Sequence, residues 1–288
     1  MDAAVVGVGG HESADGTALP AAFGTRFAAV RCGRELHQCV SALLRGTDGR
    51  VCVVPMTLGR DPRLVADTAR TLLALPADAR ERVVLAEQFG TTEHLTGWLR
   101  AAASRVPAEH ALLVTAPAGD AYDDAELFCV ARLVWQYGRH RIVEVALVGG
   151  DPDPVRGAER CLALGAAHVA PLSASFVPPG LPDALPLLSP AAAAQVLRAR
   201  VDTALRRARS TGDDGIAAAL RAADHHGTSH SHDDGHEHGH EHSHGHEHEH
   251  RDEHTHPHPR HQHPDHDVRG VASPAATRAA SPVASPVS

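Results

Sequence analysis

Residues 26–58 read RFAAVRCGRELHQCVSALLRGTDGRVCVVPMTL, and residues 142–176 read IVEVALVGGDPDPVRGAERCLALGAAHVAPLSASF. Each stretch begins with a short apolar run, passes through a glycine turn into a helical pattern, and ends in a second apolar run that contains proline. Strand, helix and strand in succession are typical of a parallel sheet covered by helices. The two stretches therefore predict an α/β fold with an internal repeat.

The same alternation extends over the first ~210 residues, enough for one large domain or two small ones. We expect two tandem units, 1–106 and 107–210, each a parallel sheet flanked by helices, with ligands bound beyond the carboxyl ends of the strands. The predicted strands lie near 3–8, 26–31, 51–57, 83–88, 111–116, 142–148 and 168–173. The predicted helices cover 34–45, 62–75, 92–105, 122–137, 154–164 and 190–208.

A histidine-rich run follows these units. It holds eighteen of the chain's 24 histidines. With few apolar residues and no cysteine, it predicts a disordered tail over 211–288, with a metal-binding part at 224–267 that Zn²⁺ or Ni²⁺ occupies. The alternative is a solvated low-complexity tail without a role. The predicted ligands are His225, His226, His230, His232, His236, His238, His240, His242, His244, His246, His248, His250, His254, His256, His258, His261, His263 and His266.

Composition excludes several classes of partner. The net charge is −8 with histidine neutral, and the basic residues are scattered arginines, so we expect no nucleic-acid partner. The absence of an apolar run of membrane-spanning length and of a leader predicts a soluble, cytoplasmic protein that does not bind membranes. The five cysteines show no CxxC pair, which favours buried thiols in a reducing compartment.

Four features resemble the long, two-repeat form of the sirohydrochlorin cobaltochelatases, the CbiX-type class II chelatases. VVGVGGHES (5–13) looks like the family's first strand and its Gly-His metal loop. VCVVPMTLGRDPRLVADTA (51–69) looks like its Val-Pro strand, and residues 130–176 are similar to its second repeat. A histidine-rich segment also occurs in some members. The order and spacing of these features carry the resemblance more than any single motif does.

The resemblance implies insertion of a divalent metal into a cyclic tetrapyrrole dicarboxylate without ATP, by two histidines that hold the metal and remove pyrrole protons. His11 fits the first histidine, as metal ligand and catalytic base. Arg63 occupies the position of the second, with Arg60 close by. Arginine neither ligates metals nor accepts protons near neutral pH, so we expect both arginines to bind substrate carboxylates. His94, which follows another strand, is the candidate for a replacement metal ligand.

Other polar and aromatic residues have simpler explanations. Asp61 and Asp67 lie near the start of a predicted helix, where capping or solvation is a commoner role than metal binding. Capping also accounts for the acidic cluster after the strand at 111–116. The two tryptophans fall within helical patterns and are expected in the core. The residues concerned are Asp120, Asp123, Asp124, Trp98 and Trp135.

Three functions remain open at this point. The first is a metallochelatase of the lyase class that inserts cobalt, or nickel or iron, into sirohydrochlorin for cobalamin-type biosynthesis, with the tail concentrating metal near the cleft. The second is a metal storage or delivery protein on a degenerate chelatase scaffold, and the third is a tetrapyrrole-binding module without chemistry. For the enzyme, the metal is a substrate, no cofactor is permanently bound, and the chain is a monomer or a homodimer.

Overall fold

The computed structural model describes residues 3–24, 27–178 and 180–227. They belong to one compact unit, and residues 228–288 lie outside the described residues. The described part is an α/β structure with two parallel sheets flanked by helices.

The first sheet has the strand order β2-β1-β3-β4, and the second has the order β6-β5-β7. In both, the strand that comes first in the chain lies between the next two. The assignment of two chelatase-like units to 1–106 and 107–210 stays a prediction. The strands are β1 (Ala4–Gly9), β2 (Ala28–Arg31), β3 (Val51–Met56), β4 (Val83–Leu85), β5 (Ala111–Pro117), β6 (Val143–Val148) and β7 (Val169–Ser173).

The helices of the described residues connect these strands and follow the last of them. Each starts where the sequence supplies a proline, a capping side chain or a glycine turn, as at Asp61-Pro62, Asp153-Pro154 and Ser189-Pro190. The helices are α1 (Leu19–Phe23), α2 (Arg34–Gly46), α3 (Pro62–Leu73), α4 (Ala77–Arg80), α5 (Thr92–Ala103), α6 (Ala121–Gln136), α7 (Pro154–Ala163), α8 (Pro190–Thr211) and α9 (Ile216–Gly227).

Apolar strands buried on both faces build the core. All six residues of β3 are buried, as the continuous apolar run predicts for a sheet covered on both sides. One apolar cluster includes Val54 and Met56 of β3 together with Val114 of β5, so it connects the two sheets. A second cluster packs the other face of the first sheet against α2, α3 and α9.

No helix was predicted between His11 and Arg26, and the structure corrects this. A 3-10 turn covers His11–Ser13, and the short helix α1 follows. Leu19 is fully buried, and the ring of Phe23 packs against Phe89 and Phe176. Burial of these side chains stabilises a helix that is too short to form on its own.

The prediction that disorder begins at residue 211 is also wrong. Helix α9 covers Ile216–Gly227 and packs on α3. Ile216 is 2 % exposed, and Ala219 and Leu220 pack against the same apolar cluster. This spacing places the three side chains on one face of a helix. The remainder of the predicted tail, 228–288, lies outside the described residues.

Two side chains expected inside the protein are exposed. Trp135 is 42 % exposed and stacks with the guanidinium of Arg132, and Cys129 is exposed on the same helix. Cys52 and Cys161 are buried, as expected. Among the helices that the structure describes, none combines the length and the apolar character needed to cross a membrane.

Candidate functional site

The carboxyl ends of β1, β3 and β5 and the loop after β7 meet at one place. The 3-10 turn that begins at His11 directly follows β1, and Thr57 to Asp61 follow β3. The backbone N–H of Phe176, after β7, donates to the carbonyl oxygen of Glu12 at 3.0 Å. Loops of both sheets therefore form one site at the edge where parallel sheets bind ligands.

His11 and Asp61 form a directed pair in this site. The distance from His11 Nδ1 to Asp61 Oδ2 is 3.2 Å, and Asp61 Oδ1 accepts from the N–H of Leu64, which caps α3. A Cβ atom at Gly10 would collide with Asp61 Oδ2, so glycine is needed for this approach. When Nδ1–H donates to the carboxylate, the lone pair of Nε2 remains for a metal ion or a proton.

The electrostatics of this pair favour charge on both partners. Burial lowers the pKa of His11, but the hydrogen bond with Asp61 and the charge of Glu12 outweigh it, so the pKa lies above the usual 6.5. Burial raises the pKa of Asp61, but the bond with His11 and the charge of that ring outweigh it, so the pKa lies below 3.8. His11 is therefore a stronger base than a free histidine.

Glu12 lies beneath His11 as a completely buried carboxylate. Its Oε2 atom accepts from the hydroxyl of Thr57 and, at 2.9 Å, from the N–H of Leu58. Burial raises the pKa of Glu12, although the charge of Arg60 and the bond from Thr57 oppose the shift. A carboxyl group whose pKa is raised can exchange a proton nearer neutral pH than a free one.

Arg60, which was expected to bind a substrate carboxylate, is buried at 1 % exposure. Nε donates to the carbonyl oxygen of Asp123 at 3.1 Å, and Nη2 lies 3.5 Å from both the Pro117 carbonyl oxygen and Asp124 Oδ1. The side chain thus joins the loop after β3 to the second sheet. Nη1 is the one guanidinium nitrogen of Arg60 that has no partner in the described residues, so only Nη1 remains to contact a substrate.

Several buried polar atoms at this site have no hydrogen-bond partner among the described residues. They are His11 Nε2, Glu12 Oε1 and Arg60 Nη1. Buried polar atoms in native proteins are nearly always hydrogen-bonded, and exceptions often mark a site for water, an ion or a ligand. An imidazole, a carboxyl group and a guanidinium thus each present an unpaired polar atom at this site. Such a set is consistent with a ligand that carries both hydrogen-bond donors and acceptors.

Arg63 differs from Arg60 in being open to solvent. Its side chain is 76 % exposed, and Nη2 lies 2.7 Å from Asp120 Oδ2. Asp120 caps α6, as the acidic loop predicts, and the N–H of Asp123 lowers the pKa of Asp120. Burial raises the pKa of the neighbouring Asp123. Arg63 has the exposure that binding of a substrate carboxylate requires.

His94 is engaged elsewhere. Its ring is 2.8 Å from the Thr91 hydroxyl in the capping box of α5, and it packs against Trp98 with 5.5 Å between ring centroids. Within the part of the chain that the structure describes, the ring of His94 makes no contact with His11. The structure therefore does not bring together the two histidines that were predicted to share a metal.

The described residues contain no group of three or more histidine, cysteine, aspartate or glutamate side chains placed to hold a metal ion. His225 and His226 lie in α9, and the other histidines of the run, His230 to His266, lie outside the described residues. The proposed capture of metal by this run therefore stays a prediction.

An apolar cavity of about 430 Å³ lies next to Glu12, and His11 is not part of its wall. Its wall includes Leu58 and Phe176, whose N–H groups donate to Glu12, and the loop that follows β7. The size and apolar lining are typical of small-molecule sites. The other apolar wall residues include Val177, Leu181, Leu185, Leu187 and Leu188.

The sequence did not reveal the buried group around Glu12. Thr57 and Leu58 follow the Val-Pro strand β3, and their position after a strand was the available signal.

A scan against protein-family models and a search of curated proteins each find no significant match. The chelatase resemblance thus depends on the motifs quoted above.

Proposed function

We propose that the protein is a chelatase-like enzyme that inserts a divalent metal into a tetrapyrrole dicarboxylate, with cobalt and sirohydrochlorin as the first pair to test. The observation that carries the proposal is the state of His11. Asp61 holds its Nδ1 atom, its Nε2 atom has no partner in the described residues, and an apolar cavity lies next to the adjacent Glu12.

Metal insertion replaces two pyrrole N–H protons by one divalent ion, so the site needs a metal donor and two proton acceptors. A neutral imidazole can ligate the metal and accept a proton in turn. In this proposal, His11 takes one proton, and Glu12 or Asp123, whose pKa values burial raises, takes the other. Carboxylates of this loop cluster then do the work of the absent second histidine.

The macrocycle lies against the apolar wall in this proposal, and Arg63 pairs with a carboxylate of its side arms. Arg63 is exposed and its only ion pair in the described residues is with Asp120. Exposed ion pairs contribute about 0–1 kcal/mol, so a substrate carboxylate can replace Asp120 at little cost. Because Nε2 of His11 is shielded from solvent, binding must displace a neighbouring group.

The test is the change in absorbance when sirohydrochlorin and Co²⁺ are mixed with the protein without oxygen. The proposal expects acceleration over metal alone, loss of that acceleration in His11→Ala, and its retention in His37→Ala, which removes a histidine of α2 outside the site. The absence of acceleration, or equal acceleration by His11→Ala, contradicts the proposal.

The second candidate is metal storage or delivery. The concentration of eighteen histidines between His225 and His266 favours it, as does the lack of a three-ligand group in the described residues. Truncation after Gly227 separates the two functions and leaves α9 whole. Storage requires most of the metal-binding capacity to be lost with the removed residues, whereas the enzyme keeps its rate at saturating metal.

A further inference from the structure

Two histidines lie side by side at the opposite end of the second sheet from Glu12 and His11. His110 immediately precedes β5, and His168 immediately precedes β7. The strands pair in parallel with Ala111 opposite Val169, so His110 and His168 are cross-strand neighbours. A backbone hydrogen bond of 2.9 Å from Ala111 N–H to the His168 carbonyl oxygen fixes this register.

The two rings face each other with free nitrogens. Their centroids are 4.8 Å apart and their planes are inclined by 39°. Neither ring forms a hydrogen bond within residues 3–24, 27–178 and 180–227. His168 is exposed and His110 is half-buried, so an ion can reach both rings from solvent.

The backbone around His110 is held from two further directions. Its N–H donates to the Pro107 carbonyl oxygen at 3.1 Å, and its own carbonyl oxygen lies 3.0 Å from Nδ1 of the buried His140. Both rings therefore project from backbone that secondary structure and hydrogen bonds keep in place. Sites on such rigid elements lose little conformational entropy when a ligand binds.

We propose that His110 and His168 form a two-imidazole site for a divalent transition-metal ion of the Zn²⁺, Ni²⁺, Co²⁺ and Cu²⁺ class, with water as the remaining ligands. Zn–N bonds of about 2.1 Å at a tetrahedral angle separate two ligating nitrogens by about 3.4 Å. Because ring nitrogens lie at the rim of each imidazole, a separation of about 3.4 Å between two of them is compatible with the observed 4.8 Å between centroids. The site is independent of the function proposed for His11.

Modification of histidine by diethyl pyrocarbonate tests this site in the full chain, because cleavage at arginine places each ring on its own peptide. His110 lies on peptide 106–132, His168 on 161–198, and His37 on 35–45. Free Zn²⁺ is set with a metal buffer, so that the histidine run does not deplete it. At ten times the dissociation constant, modification of 106–132 and 161–198 slows about tenfold, because only metal-free imidazole reacts. Peptide 35–45 reacts at an unchanged rate.

Single replacements establish that the two rings share one ion. In His168→Gln, protection of His110 on peptide 106–132 needs at least about tenfold more free Zn²⁺, because one imidazole binds the ion far more weakly than two. In His110→Gln, protection of His168 on peptide 161–198 needs a similar increase. His168 is exposed, so its replacement leaves the core intact. The proposal is overturned if wild type shows no protection, or if His110 stays equally protected in His168→Gln.

Discussion

Replacement of Asp61 by asparagine separates the two tasks of this side chain. Oδ1 caps α3 at Leu64, and Oδ2 pairs with the ring of His11. Asparagine keeps an oxygen for the cap but removes the negative charge beside the imidazole. We therefore expect Asp61→Asn to leave α3 intact and to change how the free energy of unfolding depends on pH.

The size and sign of this effect follow from the two pKa shifts. The side chains of His11 and Asp61 are 21 % and 15 % exposed, so solvent screens their interaction only in part. Because the His11 pKa is raised, its stabilisation is complete below 6.5 and is lost as the pH rises through the folded pKa. Because the Asp61 pKa is lowered, its stabilisation is present above 3.8 and is lost as the pH falls through the folded pKa.

Between pH 3.8 and pH 6.5, Asp61→Asn should lower the free energy of unfolding by about 1.5–3 kcal/mol, which is the range for hydrogen bonds to charged groups. The loss should become progressively smaller at higher pH. Urea denaturation of both proteins at about pH 5.5 and about pH 9 measures the difference. Asp61→Ala is the matched control, since loss of the cap should cost about 1 kcal/mol more at both pH values. An equal cost of Asp61→Asn at both pH values would refute the charge coupling.

Three further changes test other parts of the structure by urea denaturation. Gly10→Ala places a methyl group against Asp61 Oδ2, so it should lower the free energy of unfolding by about 1–3 kcal/mol. It should also reduce the raised pKa of His11, and an unchanged titration of the His11 ring would contradict this. His140→Leu removes the ring whose nitrogens lie 3.0 and 3.1 Å from the carbonyl oxygens of His110 and Ala103. The Ala103 oxygen keeps the N–H of Val106 as a donor, so the expected cost is about 1–3 kcal/mol for the His110 acceptor alone. Ile216→Ala should cost about 2–5 kcal/mol if α9 is part of the folded unit, whereas a loss below about 0.5 kcal/mol would place it outside.

The strands were predictable to within a few residues because apolar runs and turn residues mark them directly. The run 51–57 became Val51–Met56, and 142–148 became Val143–Val148. Helix α9 was missed because its apolar face consists of little more than Ile216, Ala219 and Leu220, next to the histidine run. The stability of such a helix comes from packing on α3, which its own sequence does not show.

The candidate site was predictable only at His11 and at the caps Asp61 and Asp120. The burial of Arg60 depends on Pro117, Asp123 and Asp124, which lie more than fifty residues away in the sequence. No local pattern distinguishes Arg60 from the exposed Arg63. Likewise, His110 and His168 become neighbours only through the register of β5 and β7.

The pH dependence of the metal insertion rate tests most directly the claim that Asp61 orients His11 as the base. The rate in wild type should rise with pH through the raised pKa of His11, because the neutral ring accepts the pyrrole proton. Asp61→Asn removes the carboxylate whose hydrogen bond and charge oppose the effect of burial, so the pKa of His11 falls and the midpoint of the rate profile should move to lower pH. His11→Ala should abolish both the midpoint and the acceleration. An identical midpoint in wild type and Asp61→Asn would contradict the account.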